Sequence, residues 1–227
     1  MQKSRALRMG VFVVAGVLWA NVFAGAQATA QPSSISSYEV GYVEGVVQSA
    51  FGNVTSQSFG GEVGINLGRS LRVFIEAGRV RDAARSSLGP AAQIIASYLA
   101  GTQSGAVDFS VKQPVTFGLG GIRYVIPYDE DIEPYVVAGV GVARDTRAVK
   151  FSVGGTDLTD TIGQYGVVLG TDLSGSSNSA MLSLGGGVVW HVASPFFVDL
   201  QYRFGRIFAE GNAFNVNRAG IGVGVRF

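Results

Sequence analysis

The 227 residues contain no cysteine and one histidine, His191. A disulfide framework, a thiolate metal site and a cluster of ligating histidines are therefore excluded. Charge is scarce as well: 15% of the residues are Asp, Glu, Lys or Arg, where soluble domains carry about 25%. Beyond the first thirty residues, no apolar run reaches the ~20 residues that a membrane-spanning helix needs. In place of these features stand 47% hydrophobic residues, 33 glycines and a mean hydropathy of +0.31. The glycine content is roughly twice the usual ~7% and lacks a collagen period.

The N-terminal segment reads as an export signal rather than as part of the fold. Lys3, Arg5 and Arg8 precede the apolar stretch VFVVAGVLWANVFAG, and two A-x-A sites follow, at Ala24–Ala26 and Ala28–Ala30. That order is the pattern of a cleaved Sec signal peptide over residues 1–30. Its removal leaves 14 basic against 16 acidic residues, a balance that gives no support for nucleic-acid binding. A short segment, 31–37, then leads into the folded part, 38–227.

Period-two alternation runs through the rest of the chain. Ala219, Ile221, Val223, Val225 and Phe227 share one parity against Arg218, Gly220, Gly222, Gly224 and Arg226. Phe196, Val198, Leu200, Tyr202 and Phe204 alternate with Phe197, Asp199, Gln201 and Arg203, and similar runs lie at 58–67 and 181–192. Four less regular runs, near 38–51, 70–82, 108–126 and 134–150, bring the number of expected strands to eight. Within VTFGLGGIRYVI the apolar parity switches after Leu119, which predicts a bulge at Gly120–Gly121, since glycine inside a strand often marks one.

The connections alternate in length: GRS, PYDEDIEP and ASP are tight, whereas 83–107 and 151–179 are long. Short turns at one end and long loops at the other are the asymmetry of an up-and-down outer-membrane barrel. The expected fold is thus all-β, an eight-stranded antiparallel transmembrane β-barrel with both termini on the periplasmic side. GPAAQIIASYLAG, with Pro90 near its start and Gly101 near its end, predicts a short helix in an extracellular loop, with Ile94, Ile95, Tyr98 and Leu99 on one side. A helical turn is expected near 158–164.

A soluble lipocalin-like barrel would store its apolar side chains inside. Its exterior would here be mostly glycine with few charges, a poor solvent surface. With the apolar parity outward, Trp190, Tyr202 and Phe204 become lipid-facing or interfacial girdle residues. A charge turned to lipid costs about 2–4 kcal/mol for arginine at the midplane. Glu44, Glu62, Glu76, Arg123, Asp199 and Arg203 are accordingly expected to form an ion-pair network in the lumen.

The terminal GVGVRF resembles the C-terminal assembly signal of outer-membrane barrels, carried by Gly222, Val225 and Phe227, with Gly220 standing where that family has a polar residue. Together with FGLGGIRYVIP, EPYVVAGVGVA and FFVDLQYRFGRIF, it makes residues 38–227 similar to the small outer-membrane β-barrel family of OmpX-, OmpA-barrel- and opacity-like surface proteins. The resemblance implies an integral outer-membrane location, contact with outer-membrane lipid, and delivery by the barrel-assembly machinery through the last strand. It is nearly silent on activity, because the family spans adhesins, anchors and pores.

Other chemistry finds little footing. His191 lies three residues from Ser194 beside an expected periplasmic turn, and no triad partner is evident for a hydrolase. GIGVGV and GLGG do not open a helix after a strand, as a phosphate cradle requires. Asp129, Glu130 and Asp131 lack the spacing of a calcium loop and read as a solvated turn. No catalytic residue, metal or cofactor is expected. The anticipated role is a structural or surface-exposed barrel with a plugged polar lumen, using loops 83–107 and 151–179 for extracellular contacts. A narrow diffusion pore and a soluble lipocalin-like binder are the alternatives.

Overall fold

The computed structural model describes residues 40–102, 106–129, 131–170, 173–209 and 213–227. The expected signal peptide, the segment 31–37 and Glu130 lie outside the described residues. In chain order the elements are β1 (Gly41–Phe51), β2 (Ser56–Asn66), β3 (Leu71–Val80), α1 (Leu88–Thr102), β4 (Val107–Lys112), β5 (Val115–Val125), β6 (Ile132–Val153), β7 (Thr156–Asp157), a 3-10 helix (Thr159–Tyr165), β8 (Gly175–Ala193), β9 (Phe196–Phe208) and β10 (Phe214–Arg226).

Eight of the strands form a ring in which each has two antiparallel neighbours: β1, β2, β3, β5, β6, β8, β9, β10 and back to β1. The register gives the ring its stagger. From Gly41 the paired residues are Ile65, Val73, Ile122, Ala138, Leu184, Phe204 and Asn217, and the row re-enters β1 at Phe51, ten residues beyond its start. A stagger of this kind accompanies strands tilted by roughly 35–45° to the ring axis. The last strand meets the first through the Phe227 backbone, which accepts from Val40 N (2.6 Å) and Gly41 N (3.0 Å) and donates to Gly41 O (3.0 Å).

Alternation of side chains decides which face each residue takes. On β3, Arg72, Phe74 and Glu76 are buried inside the ring while Leu71 and Ile75 are exposed; on β9, Phe197, Asp199, Gln201 and Arg203 are buried while Phe196, Leu200 and Tyr202 are exposed. No helix among the described residues is long and apolar enough to cross a membrane.

The expected bulge at Gly120–Gly121 is absent. β5 keeps an unbroken register with both neighbours through these glycines. The apolar parity changes because the interior itself changes composition: Val115, Phe117 and Leu119 point inward near the loop end, and Arg123 points inward near the other, on the same parity. An irregularity of register lies instead at His191/Ala193 in β8.

Beyond the ring, β4 continues the line of β5 along β6. Lys112 pairs with Ala148 and Val115 with Asp145, one register interrupted at Gln113–Pro114, where proline has no N–H to donate. β6 and β8 run past the ring together as far as Arg147–Gly175, so the second long loop is shorter than 151–179. A second apolar cluster forms there from Leu88, Ala92, Ala96 and Leu99 of α1 with Val149, Phe151, Ile162 and Leu173. The buried stripe of α1 therefore differs from the expected one. Ile95 and Leu99 pack inward, but Ile94 and Tyr98 are exposed and alanines take their place, because Ala92 and Ala96 let the helix approach the sheet closely.

Candidate functional site

Three levels of buried polar side chains occupy the ring. At the short-turn end, Arg72 Nη2 on β3 donates to Glu133 Oε2 on β6 at 2.8 Å, and His191 Nε2 on β8 lies 3.1 Å from Glu133 Oε1. These residues are far apart in sequence and share no motif, so alternation alone could not have paired them. His191 is engaged by a carboxylate within an ion-pair cluster.

The middle level is the densest. Arg123 Nη2 sits 2.6 Å from Glu62 Oε1, 3.5 Å from Asp199 Oδ2 and 3.8 Å from Glu44 Oε2. Arg203 Nη2 contacts the other Glu62 oxygen at 2.8 Å, and the Tyr42 hydroxyl donates to Glu62 Oε1 at 2.5 Å. Tyr135 donates to Asp199 Oδ2 at 2.7 Å, while Gln201 Nε2 donates to Glu44 Oε1 at 2.8 Å. β2 and β9 are not neighbours in the ring, so the Arg203–Glu62 pair spans the interior. Five of the six network candidates are thus assembled around Arg123. The sixth, Glu76, pairs with Arg218 Nη1 at 2.6 Å. Arg218 was recognisable as an inward residue, but its partner was not.

Aromatic rings carry part of the charge solvation, which the sequence reading missed. The Arg123 guanidinium lies 4.0 Å from the Tyr135 ring centroid and 4.8 Å from that of Tyr42, and Arg218 lies 4.3 Å from that of Phe117. Desolvated cation–π contacts are worth about 2 kcal/mol each. Arg123 and Arg203 are 0% exposed and Arg218 1%. Ions so far from solvent persist only when pairs and hydrogen bonds replace water. Glycine makes the required room: a Cβ on Gly222 would stand 2.8 Å from Glu44 Oε1, and one on Gly64 would collide with the Tyr42 ring.

Toward the loop end, an apolar layer of Ala50, Val80, Val115, Phe117, Met181, Ile207 and Val216 covers these ions. Above it lies fully buried Asp145, which accepts from Gln113 Nε2 (2.9 Å) and Ser177 Oγ (2.7 Å), with Arg147 Nε at 3.6 Å and Arg85 Nη2 at 3.9 Å. Asp82 Oδ1 accepts from the backbone of Ala84 and Gln113. Loop and ring are thereby tied together by carboxylates.

Of the girdle candidates, Trp190 is 58% and Tyr202 40% exposed on the outer face; Phe204 shares that parity and is half-buried, and Tyr202 donates to Asn217 Oδ1 at 2.7 Å. Gly222 faces the interior, Val225 is half-buried on the outer parity, and Phe227 is exposed where β10 meets β1. Among the described residues no group of three or more His, Asp or Glu could hold a metal ion.

No protein-family model and no curated protein matches the chain. Solved structures do. Neisserial surface protein A is 14% identical with a TM-score of 0.51, over 83% of this chain and 97% of that one. A major outer membrane protein of Thermus thermophilus is 14% identical with a TM-score of 0.51, over 82% of this chain and 99% of that one. At such identity the likeness is one of architecture, and the chain accordingly has a small outer-membrane β-barrel-like fold.

Proposed function

We propose that the protein is an integral outer-membrane β-barrel with a structural, surface-exposed role and a lumen plugged by its own ion pairs. The observation that carries this reading is the inversion of polarity across one wall. Val47, Ile75, Val140, Leu200 and Val223 are exposed outward, while Arg123, Arg203, Arg218 and their carboxylates are buried within. An exterior of that kind suits hydrocarbon, and a ring of eight strands leaves an interior just wide enough for side chains to fill. Residues 1–30 serve as the export signal, and Gly222, Val225 and Phe227 present the last strand to the assembly machinery. The α1 and β6–β8 projections carry the contacts outside the cell, and no catalytic role is assigned.

Planar-bilayer recording of the refolded protein tests the plug. Absence of single-channel steps is expected, because the layer from Ala50 to Val216 covers the ions. Steady conductance whose ion selectivity changes in Arg123→Gln or Arg203→Gln would overturn the plug in favour of a narrow pore. Recovery from cells in the soluble periplasm without detergent would overturn the membrane reading altogether.

A further inference from the structure

On the outer parity of three of the four ring strands that run toward the loops, the apolar series stops at the same kind of residue, whereas β1 ends on Phe51. It is Leu71, Val73, Ile75, Ala77 and then Arg79 on β3; Val136, Ala138, Val140, Val142 and then Arg144 on β6; Leu200, Tyr202, Phe204 and then Arg206 on β9. Arg81 follows Arg79 on the same parity. All four arginines are exposed, and none forms an ion pair with a carboxylate among the described residues. Among the described acids of this end, Asp82 is committed to backbone amides, Asp145 to Gln113 and Ser177, and Asp157 to Lys150 and Thr159, while Asp160 sits in the 3-10 helix of the second long loop. Asp108 pairs in register with Ser152, eight residues past Arg144 on β6, a separation of about 26 Å along the strand. The short-turn rim differs, since Asp129 and Asp131 are exposed there as well as Arg69.

Register brings two of these arginines together. Thr116 on β5 is paired with Arg79 on one side and Arg144 on the other. Two strand spacings separate their backbones by about 10 Å, so two guanidinium groups and a hydroxyl flank one outward gap. Arg144 Nη2 makes one neutral contact, to Ser176 Oγ at 3.0 Å, and keeps its other donors free of acids. Planar guanidinium groups match phosphate oxygens bidentately, and unpaired cations at the edge of an apolar band meet headgroups there.

We propose that Arg79, Thr116 and Arg144 form a binding site for the phosphate group of an outer-leaflet lipid, with Arg206 as a second contact on the same rim. The assignment rests on the membrane reading above. It also fixes orientation, since the phosphate-binding rim lies at the loop end.

The test uses the folded protein in phosphatidylcholine vesicles containing spin-labelled phosphatidic acid or spin-labelled phosphatidylcholine, with flotation run in parallel. Wild type should float and should enrich the boundary in phosphatidic acid by roughly fivefold, the scale for one arginine near an anionic surface. The preference should fall toward unity in Arg79→Gln/Arg144→Gln and only in part in Arg79→Lys/Arg144→Lys, which keeps the charge, loses the bidentate fork and controls for folding. Flotation with equal enrichment of both lipids, or an unchanged preference in the glutamine variant, would overturn the site alone. Equal enrichment of both lipids together with inorganic phosphate binding by the wild type that is lost in Arg79→Gln/Arg144→Gln would reassign the site to a soluble anion and overturn the lipid claim. Failure of wild type to float would overturn the membrane reading together with the site.

Discussion

Replacing Arg123 by methionine preserves most of the side-chain volume and removes the one guanidinium that touches Glu62, Asp199 and Glu44 at 2.6, 3.5 and 3.8 Å. Glu62 would then keep only Arg203, Asp199 and Glu44 would lose the guanidinium that touches them, and the Tyr42 and Tyr135 rings would lose the cation lying against both. Breaking a buried pair from one side costs about 3–5 kcal/mol, because the surviving charge stays buried. With a urea dependence of about 2 kcal/mol per molar, the unfolding midpoint in vesicles should drop by about 2 M. Trp190 is a convenient reporter, since the other tryptophan, Trp19, lies in the expected signal peptide. Adding Glu62→Gln to Arg123→Met should restore part of the loss, because removing both partners of a buried pair is far less costly than removing one. Lys150→Met, which breaks an exposed pair with Asp157, should change stability by no more than ~0.5 kcal/mol. A loss below ~1 kcal/mol for Arg123→Met would refute the claim that the interior is held by ion pairs.

Gly222→Val should cost about 1–3 kcal/mol, the usual range for overpacking, since its Cβ would stand 2.8 Å from the Glu44 carboxylate and push it against Gln201; refolding yield by heat-modifiable gel mobility is the readout. Deleting Phe227 should reduce the amount assembled in outer membranes far more than it lowers the urea midpoint of protein already refolded. Its aromatic ring is exposed, and its three backbone bonds to Val40 and Gly41 are few beside the ten residue pairs that join β1 to β10.

The strands were readable because one position of every two had to differ in polarity from the next. Leu200 beside Asp199, or Ile75 beside Glu76, cannot exchange faces without placing a charge outside the ring. The same rule failed where the interior itself turns apolar and the outer face carries threonine and glycine. Val115, Phe117 and Leu119 are buried near the loop end, so β5 suggested a bulge where its register is continuous. Bulk misled the reading of α1, whose packed face is set by Leu88, Ala92, Ala96 and Leu99 while Ile94 and Tyr98 stay exposed. Partner choice inside the ring was out of reach, because Glu62 meets Arg203 across 141 positions of sequence. Only the stagger of the strands brings them to one level.

Because the chain has no cysteine, single labels can test whether the apolar face of the ring meets lipid. Single cysteines at Val47 and Gln48, neighbours on β1 with 69% and 3% exposure, are labelled with a fluorophore in denaturant, and the protein is refolded into vesicles of bromine-bearing lipid. Strong quenching at Val47→Cys and little at Gln48→Cys is the predicted result, repeated at Ile75 against Glu76. Equal quenching at both positions, or the reverse order, would contradict the account.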